Sequence, residues 1–224
     1  MKSIKTLYFG DSIMAADGKP YDYAAEFDSS DLSKICRGYP TLLQEALGLE
    51  NIGNFAVGGH RVFEQKEIIL QTDFKPAQLA VFSVGVNDFN KGTVIGALPK
   101  TNDRAYDTET FYGAYCKALD HIFKSNPKIK VVLMTPLHRD STHRTGDVPK
   151  TAIDSVVAGN RLIDFRNAIL EIGQFYACPV ADMYANAGLN RFNVREFTFE
   201  GVHPNNAGYA FIAGPLIQTI QMVI

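Results

Sequence analysis

Short apolar runs rich in β-branched residues recur at 4–9, 52–57, 79–84, 129–134 and 179–181. Between and after them, apolar residues fall at three- and four-residue steps over 41–48, 61–70, 107–125, 160–176 and 205–223. Continuous short runs predict buried strands, and the three-to-four spacing predicts helices that each lay one stripe on a neighbour. Their alternation predicts a parallel sheet with crossover helices covering both faces. Phe111, Tyr112 and Tyr115 sit at helical spacing and are expected in the core, and His121 is expected to pack or lie at the surface. No repeat, low-complexity tract or linker breaks the pattern. At 224 residues and 46% hydrophobic content the chain has enough material for one domain spanning 1–224.

The polar punctuation adds chemistry to this frame. The first run breaks at Gly10-Asp11-Ser12-Ile13, which puts a serine hydroxyl where a buried strand turns. Asn54-Phe55-Ala56-Val57-Gly58-Gly59 closes the second run, Gly85-Val86-Asn87-Asp88 follows the third, and Glu200-Gly201-Val202-His203-Pro204 precedes the last helix. Three of these blocks lie at the carboxyl ends of strands, so residues distant in sequence meet on the rim where open α/β sheets keep their ligands. Pro204 is expected at the first helical position, where its missing N–H leaves nothing unpaired. Each block alone is also a good turn sequence. Together and in this order they resemble the GDSL/SGNH hydrolase family, and Gly38-Tyr39-Pro40 with Leu42, Leu43, Ala46 and Leu47 looks like that family's first long helix. The resemblance, with the strand–helix alternation, implies a flavodoxin-like three-layer α/β/α sandwich on five parallel strands in the order 2-1-3-4-5. The stretches 15–37 and 138–159 look like elaborations of the family's shorter loops, and the second is expected to wall the substrate site.

The resemblance implies a serine esterase or acylhydrolase that cleaves carboxylic esters through an acyl-serine intermediate. A serine hydroxyl is a poor nucleophile at neutral pH and needs a base to take its proton. Ser12 is the implied nucleophile and His203 the base. An imidazole accepts on one nitrogen only when the other holds the proton, and a carboxylate at that second nitrogen fixes the tautomer and stabilises the imidazolium. Glu200 stands where the family has aspartate. It completes a triad, or the working unit is a Ser12–His203 dyad or one closed by another carboxylate. For the oxyanion the resemblance implies three donors: the backbone N–H groups of Ser12 and Gly59 and the side-chain amide of Asn87. His60 is a candidate for lining the substrate pocket or a surface histidine. His138 and His143, flanked by Arg139 and Arg144, are candidates for substrate contact or parts of a solvated loop, and no third ligand is spaced to complete a metal site. Asp11, Asp88 and Asp182 read as braces of their own turns.

Composition narrows the choice further. A formal net charge of -2 gives no basic footprint for nucleic acid, so a small-molecule, carbohydrate or lipid ester is the expected partner. Cys36, Cys116 and Cys178 make an odd count with no C-x-x-C pair, and reduced, buried thiols are expected. Neither phosphate-cradling glycine motif is present, so no nucleotide cofactor is expected, and Met14 occupies the last position of what would be a G-x-S-x-G elbow. The first residues lack a leader-length apolar segment and no run is long enough to span a bilayer, which places the expected location in the cytoplasm. An acyltransferase using the same residues, and an idle domain that binds glycans or protein, are the competing readings. Oligomeric state stays open.

Overall fold

The computed structural model describes residues 3–21, 35–99, 106–139 and 155–224. In chain order the elements are β1 (Ile4–Gly10), α1 (Ser12–Ala15), α2 (Tyr39–Leu47), β2 (Leu49–Asn54), α3 (Val62–Gln71), β3 (Leu79–Ser83), α4 (Val86–Asn90) and α5 (Phe111–Ser125). They continue as β4 (Lys130–Met134), α6 (Leu162–Tyr176), β5 (Val180–Ala181), α7 (Met183–Asn186), α8 (Val194–Phe197), α9 (Asn206–Ile212) and α10 (Gly214–Gln221). The five strands are parallel and lie in the order β2-β1-β3-β4-β5, as expected from the sequence.

Alternating strand side chains divide the interior into two cores. Leu7, Phe9, Ala80, Phe82, Val131 and Leu133 point to one face, where Val62, Ile69, Leu119, Ile122, Phe165 and Ile169 of α3, α5 and α6 cover them. Tyr8, Leu79, Val81, Val132 and Met134 point to the other, under Leu43, Tyr209, Ile212, Leu216 and Ile220 of α2, α9 and α10. The chain leaves β1 for β2 along one face through α2 and returns past β1 to β3 along the other through α3. That reversal opens a crevice between the carboxyl ends of β1 and β3.

Several elements differ from the sequence expectation for identifiable reasons. The second strand begins at Leu49 instead of residue 52 because, as an edge strand, it tolerates the exposed Glu50 and Asn51 that break the apolar run. Phe55 and Val57 still donate backbone hydrogen bonds to Tyr8 and Gly10 at 2.8 and 3.1 Å beyond the strand's end. The expected final helix over 205–223 is two helices, since Pro215 has no N–H for the Phe211 carbonyl and its ring would press on that turn. Pro204 lies outside α9. Asn205 takes the capping role, its side chain accepting from the Gly208 N–H at 2.8 Å, and Pro204 instead pairs with Thr198. Helix α5 starts at Phe111, not 107, because the Thr110 side chain caps it by accepting from Gly113 N–H at 3.2 Å. Helices α1, α4, α7 and α8 are too short to show a periodicity.

Phe111, Tyr112 and Tyr115 are buried, all three cysteines are free and buried, and His121 packs edge-on against Phe74. Among the described residues, no helix is long and apolar enough to cross a membrane.

Candidate active site

The crevice is closed in by loops whose backbones are tied to one another. Gly10 ends β1 against β3 so tightly that a Cβ there would lie 2.7 Å from the Ser83 carbonyl oxygen, so the residue before the serine turn has no room for a side chain. Asp11 then caps α1, its carboxylate accepting from the Ile13 N–H at 3.0 Å, and this sets Ser12 as the first residue of the helix. Burial pushes the Asp11 carboxyl up to about 6. The Tyr209 hydroxyl donates to the Ile13 carbonyl at 2.6 Å and latches α9 to the same turn.

The loop before α9 brings a base to that serine. Thr198 bridges to Pro204, and Phe199 N–H donates to the His203 carbonyl at 2.9 Å, folding 198–204 back on itself. His203 Nε2 lies 2.7 Å from Ser12 Oγ, and its Nδ1 lies in hydrogen-bond contact with Glu200 Oε1. The same Oε1 accepts the His203 backbone N–H at 3.2 Å. Glu200 is only 4% exposed, and its second oxygen, Oε2, is buried with no hydrogen-bond partner among the described residues.

Donors converge from the other side. A Cβ built on Gly58 would lie 3.8 Å from Ser12 Cβ, which puts the Gly58-Gly59 turn beside the serine, and Gly59 adopts φ +77°, a conformation that favours glycine. Among the described residues, neither the Ser12 nor the Gly59 N–H has a partner. Asn87 Nδ2 donates to the His60 carbonyl at 3.1 Å and Lys91 Nζ to the Gly59 carbonyl at 2.8 Å, so α4 and the residue that caps its end hold this turn by two consecutive carbonyls. Asn87 keeps a second amide proton. Asp88 accepts the Val62 N–H on both oxygens at 3.2 Å and fixes the start of α3, and burial pushes its carboxyl up to about 7.

Other residues singled out in the sequence take different places. His60 Nδ1 meets Gln65 Nε2 at 3.2 Å, which turns that side of the ring toward α3. His138 lies past the end of β4, its ring packed at a tilt against Tyr184 with centroids 4.0 Å apart, and burial holds its imidazole below the usual range. His143 and Arg144, with much of the 15–37 and 138–159 stretches, lie outside the described residues. Asp182 caps α7, accepting from Ala185 N–H at 3.3 Å, and pairs with Arg166.

Gln65 escaped the sequence reading, and Arg139, singled out only as a flank of His138, takes a role that the reading did not foresee. Gln65 is buried on α3 and serves three segments: it accepts from Gly10 N–H at 3.1 Å and donates to the Phe55 carbonyl at 3.3 Å beside its contact with His60. Its signal was a polar residue between Val62 and Ile69 on an apolar face. Arg139 lies over the Phe89 ring, 5.6 Å from its centroid, and donates to Asn90 Oδ1 while its Nε is buried without a partner among the described residues. Burial lowers its pKa to about 10 against the opposing pull of Glu200.

The arrangement can remove a proton from a hydroxyl and offer N–H groups to an oxygen next to it. Comparison with known proteins agrees in architecture. A possible lipase from Chitinophaga pinensis superposes with a TM-score of 0.75 at 24% identity, over 99% of each chain. The acetyl xylan esterase AlAXEase gives 0.64 at 23% identity over 99% of this chain and 100% of its own. Axe2, an acetylxylan esterase from Geobacillus stearothermophilus, gives 0.62 at 16% over 98% and 95%. At these identities the likeness is one of fold. No curated protein matches the sequence. The profile of the GDSL-like lipase/acylhydrolase family matches residues 8–211, nearly the whole chain and all four polar blocks; the chain belongs to that family.

Proposed function

We propose that the chain is a carboxylic-ester hydrolase that works through an acyl enzyme on Ser12, with short acyl esters of carbohydrates as its substrates. One observation carries the chemistry: the His203 ring spans the gap between the Ser12 hydroxyl, 2.7 Å from Nε2, and the Glu200 carboxylate at Nδ1. With its proton held on Nδ1 by Glu200, the ring accepts at Nε2. As Ser12 Oγ bonds to the carbonyl carbon, its proton passes to Nε2 and the carbonyl electron pair moves onto oxygen. The free N–H groups of Ser12 and Gly59 and the remaining Asn87 amide proton receive that oxyanion. Collapse breaks the bond to the alcohol, which leaves with the proton from Nε2. Water then gives a proton to Nε2 and attacks the acyl-serine, and collapse releases the carboxylic acid and restores the serine hydroxyl. The carbohydrate part of the reading is supported by the similarity to proteins named as acetylxylan esterases.

The test is covalent. A fluorophosphonate should add once to the folded protein, on the peptide carrying Ser12, and Ser12→Ala should abolish both the adduct and turnover of p-nitrophenyl acetate. A folded wild-type protein that neither labels nor turns over any ester in a chain-length series would refute the reading.

A further inference from the structure

Beyond the end of β4, an open surface depression of about 420 Å³ is lined by His138, Ile163, Arg166, Tyr184, Leu189 and Asn190. We propose that this depression is a subsite for a neutral sugar ring in the alcohol portion of the ester, a proposal that rests on the esterase reading above. The parallel strands β1 and β4 end on the same rim of the sheet, the first leading into Ser12 and the second toward His138. Between them, Thr135, Pro136 and Leu137 line a small cavity together with Asp11 and Ile13, and His138 follows Leu137 in the chain. The volume of the depression falls within the range of small-molecule sites, about 300–1,000 Å³.

The walls are fixed by packing and pairing. The His138 and Tyr184 rings pack in a tilted pair, centroids 4.0 Å apart with 31° between their planes. Arg166 Nε donates to both oxygens of Asp182 at 3.2 and 3.1 Å, its Nη2 pairs with the same carboxylate, and Nη1 donates to Asn167 Oδ1 at 3.0 Å. Asp182 is itself held by the Thr135 hydroxyl at 3.1 Å, which ties this wall to β4.

The chemistry points to one class of occupant. Arg166 is cancelled by Asp182, and burial lowers the affinity of His138 for a proton, so the depression carries no net charge at neutral pH. The ring nitrogens of His138 and the hydroxyl of Tyr184 have no hydrogen-bond partner among the described residues. An alkyl chain laid in the depression would displace water from those polar atoms without replacing its hydrogen bonds, which is unfavourable. An anion would find no unpaired cation. A polyhydroxylated ring satisfies the polar edges with its hydroxyls and lays its C–H face against Ile163 and Leu189.

The experiment compares mono-acetylated methyl xyloside with p-nitrophenyl acetate for the wild type, His138→Ala and Tyr184→Phe. Tyr184→Phe removes only the hydroxyl and keeps the packed ring, so it stands if His138→Ala fails to fold. Each variant should lose on the order of 10-fold in kcat/KM on the xyloside, mostly through KM, the effect of one lost hydrogen bond. Turnover of p-nitrophenyl acetate should stay within twofold of wild type. Equal change on both esters, no change on either, or a wild type that cleaves p-nitrophenyl acetate but not the xyloside overturns the subsite and leaves the esterase reading standing. A wild type that cleaves neither ester overturns both.

Discussion

Glu200→Gln tests the site at the position where the chain carries glutamate in place of the family's aspartate. In the serine-protease triad the comparable swap costs about 10⁴-fold because the amide turns an N–H to the ring and imposes the wrong tautomer. Here Glu200 Oε1 accepts two donors at once, His203 Nδ1 and, at 3.2 Å, the His203 backbone N–H. An amide placed there keeps its oxygen on those donors and sends its NH₂ to the buried position of Oε2, so the imidazole keeps the productive tautomer. What is lost is the charge opposite the forming imidazolium. Full charges about 4 Å apart attract by about 4 kcal/mol at an effective dielectric constant of about 20. With the imidazolium partly formed at the transition state, about 2–3 kcal/mol of that is forfeited, a fall in rate of roughly 10²-fold. The assay is kcat/KM on p-nitrophenyl acetate beside a melting curve that checks the fold. Glu200→Asp keeps the charge and should retain more activity than Gln. A Gln variant within about twofold of wild type would remove Glu200 from the unit and leave a Ser12–His203 dyad or another carboxylate.

Ser12→Ala and His203→Ala should each remove nearly all turnover, and the double variant should be no slower than either alone, because nucleophile and base act as one unit. Additive losses would mean independent roles. Asn87→Ala should lower kcat by roughly 10²- to 10³-fold with little change in KM, the usual effect of losing one oxyanion donor; an effect confined to KM would make Asn87 a binding residue. Burial raises Asp11 to about 6 and Asp88 to about 7, so the folded chain holds these protons at pH values where the unfolded chain has released them. Their contribution to stability is therefore full below the ordinary aspartate range and is lost as pH rises through those values. The urea midpoint should fall between about pH 4 and pH 7, and Asp88→Asn should flatten that fall; an unchanged slope would refute the assignment.

The parts of the fold readable in the chain were those whose cause is local. Leu7, Phe9, Phe82 and Leu133 announce central strands because both faces of those strands are covered, whereas β2 hid its first half behind Glu50 and Asn51, which an edge permits. Pro215 was visible as a residue type, but the apolar stripe continues across it, so periodicity ran two helices into one. At the site, Ser12, Gly59, Asn87, Glu200 and His203 stood out because each sits in a turn block with its own spacing. Gln65 did not, and the contacts of Arg139 could not be foreseen, since their partners, Gly10 and Phe55 for one and Phe89 and Asn90 for the other, are remote in sequence. The depression at His138 was out of reach for the same reason: its walls come from β4's exit, α6 and α7.

The latch from Tyr209 to the Ile13 carbonyl has a bearing on how the molecule comes into being. Strand β5 completes the sheet at Ala181, while Glu200, His203 and Tyr209 all follow it in the chain. A domain generally folds as a unit. One face of the sheet is covered by Tyr209, Ile212, Leu216 and Ile220 of α9 and α10, so the strands that precede them cannot be fully packed until the last helices dock. The same docking that closes the core sets the 198–204 loop against the Ser12 turn, and so ties the assembly of the proposed site to the final step of folding.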